Sequence, residues 1–235
     1  MLNYNEQELE NNIQYVFKDK SLLKQALSHS SFINEMKNKG MESYERLEYL
    51  GDAVLELISS EFLFNEYKDM PEGKLTKLRA SIVCEFTLSS VSRMLHLGDY
   101  VLLSKGEEMT GGRNRDSILC DLFESVLGAI YLDGGMEPAE KYVKTFLLTD
   151  IEHKSLFYDA KTTLQEIVQK DGKSSVTYEL VSESGPDHNK CYVMNVLVDG
   201  NKLATGKGSS KKNAQQMAAY EAILLLKKSA VDEAN

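Results

Sequence analysis

Residues 45–55 read Glu-Arg-Leu-Glu-Tyr-Leu-Gly-Asp-Ala-Val-Leu, and this stretch decides how the first part of the chain folds. On a helix that turns by roughly 100° per residue, Glu45, Glu48 and Asp52 fall within about 60° of one another. The opposite side is apolar and consists of Leu47, Leu50, Val54, Leu57 and Ile58. The pattern predicts an amphipathic helix with a carboxylate stripe. Such a stripe, taken alone, is typical of a solvated helix face.

A second segment, residues 117–132, is apolar nearly all round, which indicates a buried helix. Its only charged residues are Asp121 and Glu124, which are three apart and therefore share one face. A carboxylate removed from water without a partner is costly, so both side chains need cations nearby. Arg113 and Arg115 precede the helix in a Gly-rich turn and are possible partners. A core ion-pair network is therefore one interpretation of the pattern.

The other interpretation is a metal site. The two segments together offer carboxylates at helical spacing, with no His or Cys among the expected ligands. Oxygen ligands of this kind suit Mg²⁺ or Mn²⁺ rather than zinc. The combined pattern favours the metal, although spacing alone does not say what the metal does.

The spacing of apolar residues along the chain changes after about residue 150. A length of 235 residues suggests two unequal domains. Up to that point the apolar residues follow a helical period, which predicts an all-α domain over residues 1–152. A small α+β domain of order α-β-β-β-α is expected over residues 160–228. Its predicted elements are a helix over 162–170, strands over 176–182, 191–199 and 202–206, and a helix over 211–226.

Charge is unevenly distributed along the chain. The net charge is −9, but residues 1–152 hold 16 Lys and Arg against 26 Asp and Glu, while residues 153–235 hold 11 against 10. The Asp and Glu side chains of the first domain can bind cations, so the negative net charge does not exclude a nucleic-acid partner. We expect a cytoplasmic protein, because Cys84, Cys120 and Cys191 lack metal or disulfide spacing and neither a signal peptide nor a membrane span is evident.

The residues described so far resemble the ribonuclease III family. Residues 45–55 are similar to that family's signature, with Tyr49 where phenylalanine is usual and Ala53 where serine is common. The remaining similarities follow the family's order through the first domain: Leu22–His29, Glu72-Gly73, Lys105–Glu108, Gly111–Arg113 and Ser117–Asp121. The last part resembles a double-stranded-RNA-binding domain at Leu164–Glu166, Gly185–His188 and Gly206–Ala214.

The resemblance implies an endoribonuclease that cuts double-stranded RNA, leaving 5′-phosphate and 3′-hydroxyl ends. It implies Mg²⁺, which Mn²⁺ can replace, and no small-molecule cofactor. The implied metal ligands are Glu48, Asp52, Asp121 and Glu124. Asp52 and Glu124 are the implied catalytic residues, supported at the edge by Glu45 and Glu72. The implied RNA-binding residues are Gln165, Glu166, His188, Lys211 and Lys212.

The resemblance further implies a homodimer, ribosomal RNA precursors and other structured transcripts as substrates, and no membrane partner. Three alternatives stay open at this point. They are a catalytically silent duplex-RNA-binding protein, an unrelated metal-dependent phosphohydrolase of small molecules, and a purely structural interaction protein. A purely structural role would not explain why the buried helix carries the carboxylates of Asp121 and Glu124.

Overall fold

The computed structural model describes residues 5–36, 40–169, 174–185 and 190–232. The chain divides into two compact units, residues 1–151 and 152–235, and each unit has its own hydrophobic core. Among the helices of these described ranges, none combines the length and the apolar character that crossing a membrane requires.

The first unit is helical, which confirms the predicted fold class. A short 3-10 helix at Gly112–Asn114 precedes its long central helix. The α-helices are α1 (Glu6–Ile13), α2 (Lys20–Ala26), α3 (Ser30–Met36), α4 (Glu45–Glu66), α5 (Glu72–Ile82), α6 (Glu85–Met94), α7 (Leu97–Tyr100), α8 (Lys105–Met109), α9 (Asp116–Gly134) and α10 (Met136–Phe146).

Helix α9 forms the centre of the first unit. It packs against α2, α4, α6 and α10, and Leu122, Phe123, Val126 and Leu127 are fully buried. The helix ends where Gly135 adopts a φ of +86°, a conformation that side-chain-bearing residues rarely adopt. The prediction that this segment is a buried helix is confirmed, and its two carboxylates are partly buried.

Helix α4 differs from the prediction at one position. Leu47, Val54 and Ile58 are buried as expected, but Leu57 is 54% exposed. The expectation for Leu57 was wrong because in the described part of the chain no element covers this side of α4. The side chain lines an open groove together with Phe64.

Over residues 160–232 the second unit has the predicted order of helix, three strands and helix, and one further helix precedes these elements. Its strands form one antiparallel sheet in the order β1-β2-β3, and β2 and β3 are joined at Asp199 and Gly200, which both have positive φ. Two such residues match the twist of a tight hairpin. The elements are α11 (Ile151–Tyr158), α12 (Ala160–Val168), β1 (Val176–Ser184), β2 (Cys191–Val198), β3 (Asn201–Gly208) and α13 (Lys211–Asp232).

The core of the second unit lies between the sheet and α13. On β2, Met194 and Val196 are buried at period two, as the alternation predicts. Helix α13 packs against β2, β3 and α12, and its fully buried residues are mostly alanines. Small side chains let the helix lie close to the sheet, and only residues 209 and 210 separate β3 from the first turn of α13.

Candidate active site

Two glycines set the distance between the helices that carry the predicted metal ligands. A Cβ atom added to Gly51 on α4 would lie 1.8 Å from the carbonyl oxygen of Glu124 on α9. A Cβ atom added to Gly128 on α9 would lie 2.2 Å from the carbonyl oxygen of Leu47. The helices therefore cross with their main chains in contact, and this close approach brings the two carboxylate faces together.

Four carboxylates share the site that the crossing creates. Glu48 and Asp52 come from α4, and Asp121 and Glu124 come from α9. Glu48, Asp121 and Glu124 are partly buried, while Asp52 is exposed. The charges of Asp52, Asp121 and Glu48 all act on Glu124, and those of Asp121 and Asp52 act on Glu48. The predicted set is thus brought into one neighbourhood.

Burial and the charges of neighbouring carboxylates raise the pKa of Glu48, Asp121 and Glu124. Burial, followed by the charges of Asp52, Asp121 and Glu48, raises the pKa of Glu124 to about 8. Burial and the neighbouring charges of Asp121, Glu45 and Asp52 raise the pKa of Glu48 to about 7. Burial also raises the pKa of Asp121, and a hydrogen bond from Tyr44 partly opposes that effect. Such shifts are typical of a site built to receive positive charge.

The proposed arginine partners are engaged elsewhere. Arg113 Nε donates to Glu108 Oε1 at 2.6 Å, and Arg113 Nη1 donates to the carbonyl oxygen of Val101 at 2.8 Å. Arg115 pairs with Glu107. Within the described ranges no Lys or Arg forms an ion pair with the four carboxylates. The core ion-pair interpretation therefore loses its support, and half-buried carboxylates that repel one another fit a divalent cation.

A thiol that the sequence analysis left out of the site lies beside it. Cys120 Sγ and one carboxylate oxygen each of Asp121 and Glu124 lie within 4.8 Å of one another. The expectation of no cysteine among the ligands stays a prediction, and Cys120 lies beside the site because residues 120 and 124 stand one helical turn apart. Mg²⁺ prefers oxygen ligands, so the carboxylates remain the expected ligands.

The two supporting acids differ in their placement. The charge of Glu45 raises the pKa of Glu48, so Glu45 lies at the edge of the cluster, and its Oε2 accepts a hydrogen bond from Ser43 Oγ at 3.1 Å. Glu72 is exposed at the start of α5, where its Oε1 accepts from Thr76 Oγ1 at 2.9 Å. Within a single chain the structure does not join Glu72 to the four carboxylates.

The candidate RNA-binding residues of the second unit are solvent-facing. Gln165 and Glu166 follow the fully buried Leu164 on α12 and are exposed. Lys211 and Lys212 are exposed in the first turn of α13. His188 lies outside the described residues. Two ammonium groups at the positive end of a helix dipole favour phosphate oxygens.

Fold and site together define a class of protein, in which a helical domain with clustered carboxylates is followed by a small domain with three antiparallel strands between helices. A family model described as Ribonuclease-III-like matches residues 19–151, and one described as Double-stranded RNA binding motif matches residues 160–226. The chain belongs to the ribonuclease III family.

Individual relatives cover almost the whole chain. Ribonuclease 3 of Bacillus velezensis is 48% identical over 223 residues, which cover 94% of this chain and 90% of that protein. Ribonuclease 3 of Listeria monocytogenes is 46% identical over 219 residues, covering 92% and 96% respectively. A solved nuclease domain of ribonuclease III from Campylobacter jejuni is 43% identical with a TM-score of 0.56, and the match covers 60% of this chain and 95% of that one.

Proposed function

We propose that the chain is an endoribonuclease that hydrolyses phosphodiester bonds in double-stranded RNA and leaves 5′-phosphate and 3′-hydroxyl ends. The observation that carries the proposal is the cluster of Glu48, Asp52, Asp121 and Glu124, which repel one another and form no ion pair with a Lys or Arg of the described residues. This cluster stands in a chain whose second unit matches a double-stranded RNA binding motif. Precursors of ribosomal RNA and other structured transcripts are the proposed substrates.

The four carboxylates are the proposed ligands of Mg²⁺, and Mn²⁺ is expected to substitute. A bound divalent ion supplies a water of lowered pKa and positive charge beside the scissile phosphate. Asp52 is exposed, whereas Glu124 is partly buried where α4 and α9 cross. Glu45 and Glu72 are proposed to support the cluster at its edge.

A homodimer is proposed because one site cuts one strand. Cleavage of both strands of a duplex requires two sites related by a two-fold axis. The Campylobacter jejuni nuclease domain has a region involved in dimer formation. In this chain the open groove beside α4 is lined by Leu57, Phe64 and Leu75, and Phe64 is 71% exposed. An apolar surface of this kind supports association with a second copy.

A cytoplasmic location is proposed together with the activity. Cys84, Cys120 and Cys191 are all free thiols in the structure. Free cysteines are expected in a reducing compartment, where thiols stay unpaired.

The proposed activity is tested by incubating the full chain with long duplex RNA, single-stranded RNA and duplex DNA. Each substrate is offered with Mg²⁺ and with EDTA. We expect cleavage of duplex RNA alone, and only with Mg²⁺. Cleavage that persists in EDTA would contradict the metal site, and salt-dependent binding without cleavage would support the catalytically silent alternative.

Reversal of both charges in Lys211→Glu/Lys212→Glu is expected to weaken binding of duplex RNA by at least about tenfold at low salt. Binding is measured by gel shift or fluorescence anisotropy at several salt concentrations. Because each phosphate contact contributes roughly one to the slope of log K against log salt, the slope is expected to fall by about two.

The matched control lies on the same helix. Lys227 and Lys228 are also adjacent and exposed on α13, and the 16 positions that separate the two pairs correspond to roughly 24 Å of helix. Lys227→Glu/Lys228→Glu makes the same change in net charge and is expected to leave the salt slope nearly unchanged. Equal loss in both double variants would show a general charge effect and would refute a specific role for Lys211 and Lys212.

A further inference from the structure

Tyr44 connects the two helices of the acidic cluster. It immediately precedes Glu45, at the start of α4, and its side chain is only 2% exposed. Its hydroxyl donates a hydrogen bond to Asp121 Oδ2 on α9 at 3.1 Å. One buried side chain thus joins the start of the helix that carries Glu48 and Asp52 to a carboxylate of the other helix.

The main chain and the ring of Tyr44 are both held in place. Its N–H donates to the carbonyl oxygen of Ser28 at 2.8 Å, and its own carbonyl oxygen accepts from the N–H groups of Leu47 and Glu48 at 2.8 and 2.9 Å. Its ring packs edge-on against His29, with 5.6 Å between the ring centroids. The hydroxyl therefore points at Asp121 from a residue with little freedom to move.

This hydrogen bond gives the two oxygens of the Asp121 carboxylate different roles. Facing a carboxylate, a phenol acts as the donor, so the proton of this hydrogen bond belongs to Tyr44. With Oδ2 accepting this bond, Oδ1 is left for another partner. Metal ligands are commonly oriented by hydrogen bonds of this type from a neighbouring side chain.

We propose that Tyr44 is a positioning residue for the metal site, whose hydroxyl holds the Asp121 carboxylate in the orientation that a divalent ion requires. The inference rests on the proposed assignment of Asp121 as a metal ligand. It goes beyond that assignment, because Tyr44 itself carries no ligand atom in the cluster and no carboxylate spacing points to it.

The test is Tyr44→Phe, which removes the hydroxyl and keeps the ring that packs against His29. The affinity for Mn²⁺, as a stand-in for Mg²⁺, is measured by calorimetry on the full chain without RNA. The dissociation constant is expected to rise by about tenfold, as for the loss of other groups that orient metal ligands. In cleavage assays the Mg²⁺ concentration for half-maximal rate is expected to rise similarly, while kcat at saturating Mg²⁺ falls by less than about threefold.

Tyr142→Phe is the matched control. Tyr142 is 3% exposed, and its hydroxyl has no hydrogen-bond partner among the described residues. Its ring stacks on Phe123, the neighbour of Glu124 in α9. The control therefore removes a buried phenol hydroxyl from the same core and is expected to leave the metal affinity unchanged.

The outcomes separate this inference from the metal site on which it rests. Unchanged metal affinity in Tyr44→Phe overturns the inference, and so does an equal loss in Tyr44→Phe and Tyr142→Phe. Asp121→Asn supplies the second comparison. If it retains the wild-type affinity, the assignment of Asp121 as a ligand fails; if it loses affinity while Tyr44→Phe does not, only the role of Tyr44 fails.

Discussion

Glu124→Gln is expected to lower Mg²⁺-dependent cleavage of duplex RNA by roughly 10³-fold or more, while the affinity for duplex RNA stays within about twofold. Glutamine keeps the size of the side chain but cannot supply the negative charge that attracts a divalent ion. Losing about 4 kcal/mol of transition-state stabilisation corresponds to a factor of about 10³ in rate. Single-turnover cleavage and a gel shift on the same preparation measure the two quantities. Wild-type turnover would remove Glu124 from the site.

The same variant is expected to be more stable than wild type when metal is absent. Glu124 has a pKa of about 8 in the folded chain, above the 4.5 that is ordinary for a glutamate. The folded state therefore binds a proton that the unfolded state releases between these pH values, and the free energy of unfolding falls as pH rises through this window. Glutamine does not titrate, so it removes this loss.

The expected gain is on the order of 2 kcal/mol at pH 9 in EDTA, after allowance for solvent screening of a partly exposed group. Below about pH 4.5 the gain is expected to vanish, because the carboxyl group is then neutral in both states. Urea unfolding at several pH values measures it. Loss of cleavage together with a gain in metal-free stability would show that the variant is folded and lacks only its charge.

Glu56→Gln is the control for lost carboxylate charge. Glu56 lies on the same helix as Glu48 and Asp52, but its Oε2 pairs with Arg79 Nε at 2.8 Å and it is not among the charges acting on Glu124. An ion pair of this exposure contributes little to stability, about 0–1 kcal/mol. Cleavage by this variant is expected to stay within about twofold of wild type. A loss as large as that of Glu124→Gln would show that the assay responds to any missing acid on α4.

Gly51→Ala is expected to lower the free energy of unfolding by at least about 3 kcal/mol, more than most overpacked core positions. The new methyl group would lie 1.8 Å from the carbonyl oxygen of Glu124, which is main chain and cannot rotate away. The helices must then separate or shift, and this moves Glu124 relative to Asp52. Urea unfolding and Mn²⁺ calorimetry measure the two consequences, and metal affinity is expected to fall together with stability.

Gly73→Ala is its control, because Gly73 also lies in a helix and nothing stands within 4 Å of an added Cβ. Alanine favours the helix over glycine, so this variant is expected to gain up to about 1 kcal/mol. A loss at Gly73 as large as that at Gly51 would show that the close crossing of α4 and α9 is not the cause.

Sequence patterns could predict the elements and the faces on which the carboxylates lie. The spacing of Glu48 and Asp52, and of Asp121 and Glu124, places each pair on one side of its helix, because a helix repeats every 3.6 residues. The nearly continuous apolar run around Asp121 and Glu124 predicted the buried helix that the structure contains. Strand alternation and the turn at Asp199-Gly200 predicted the second unit in the same way.

What depends on tertiary contact could not be predicted from those periods. Spacing does not say which helices meet, so the roles of Gly51 and Gly128 and of Tyr44 became visible only in the structure. The exposure of Leu57 has the same origin, because an apolar residue can face an open groove as well as a core. Arg113 is a further example. Its side chain donates hydrogen bonds to the carbonyl oxygens of Gly98 and Val101 rather than to the carboxylates, and the local sequence does not specify these contacts.

Because the main chains of α4 and α9 are in contact, the spacing of the carboxylates depends more on this contact than on side-chain packing in the surrounding core. Where Gly51 meets Glu124, contact between main-chain atoms sets how closely the two helices can approach. Volume-conserving exchanges among the aliphatic residues nearby are therefore expected to change the free energy of unfolding more than the affinity for divalent ions.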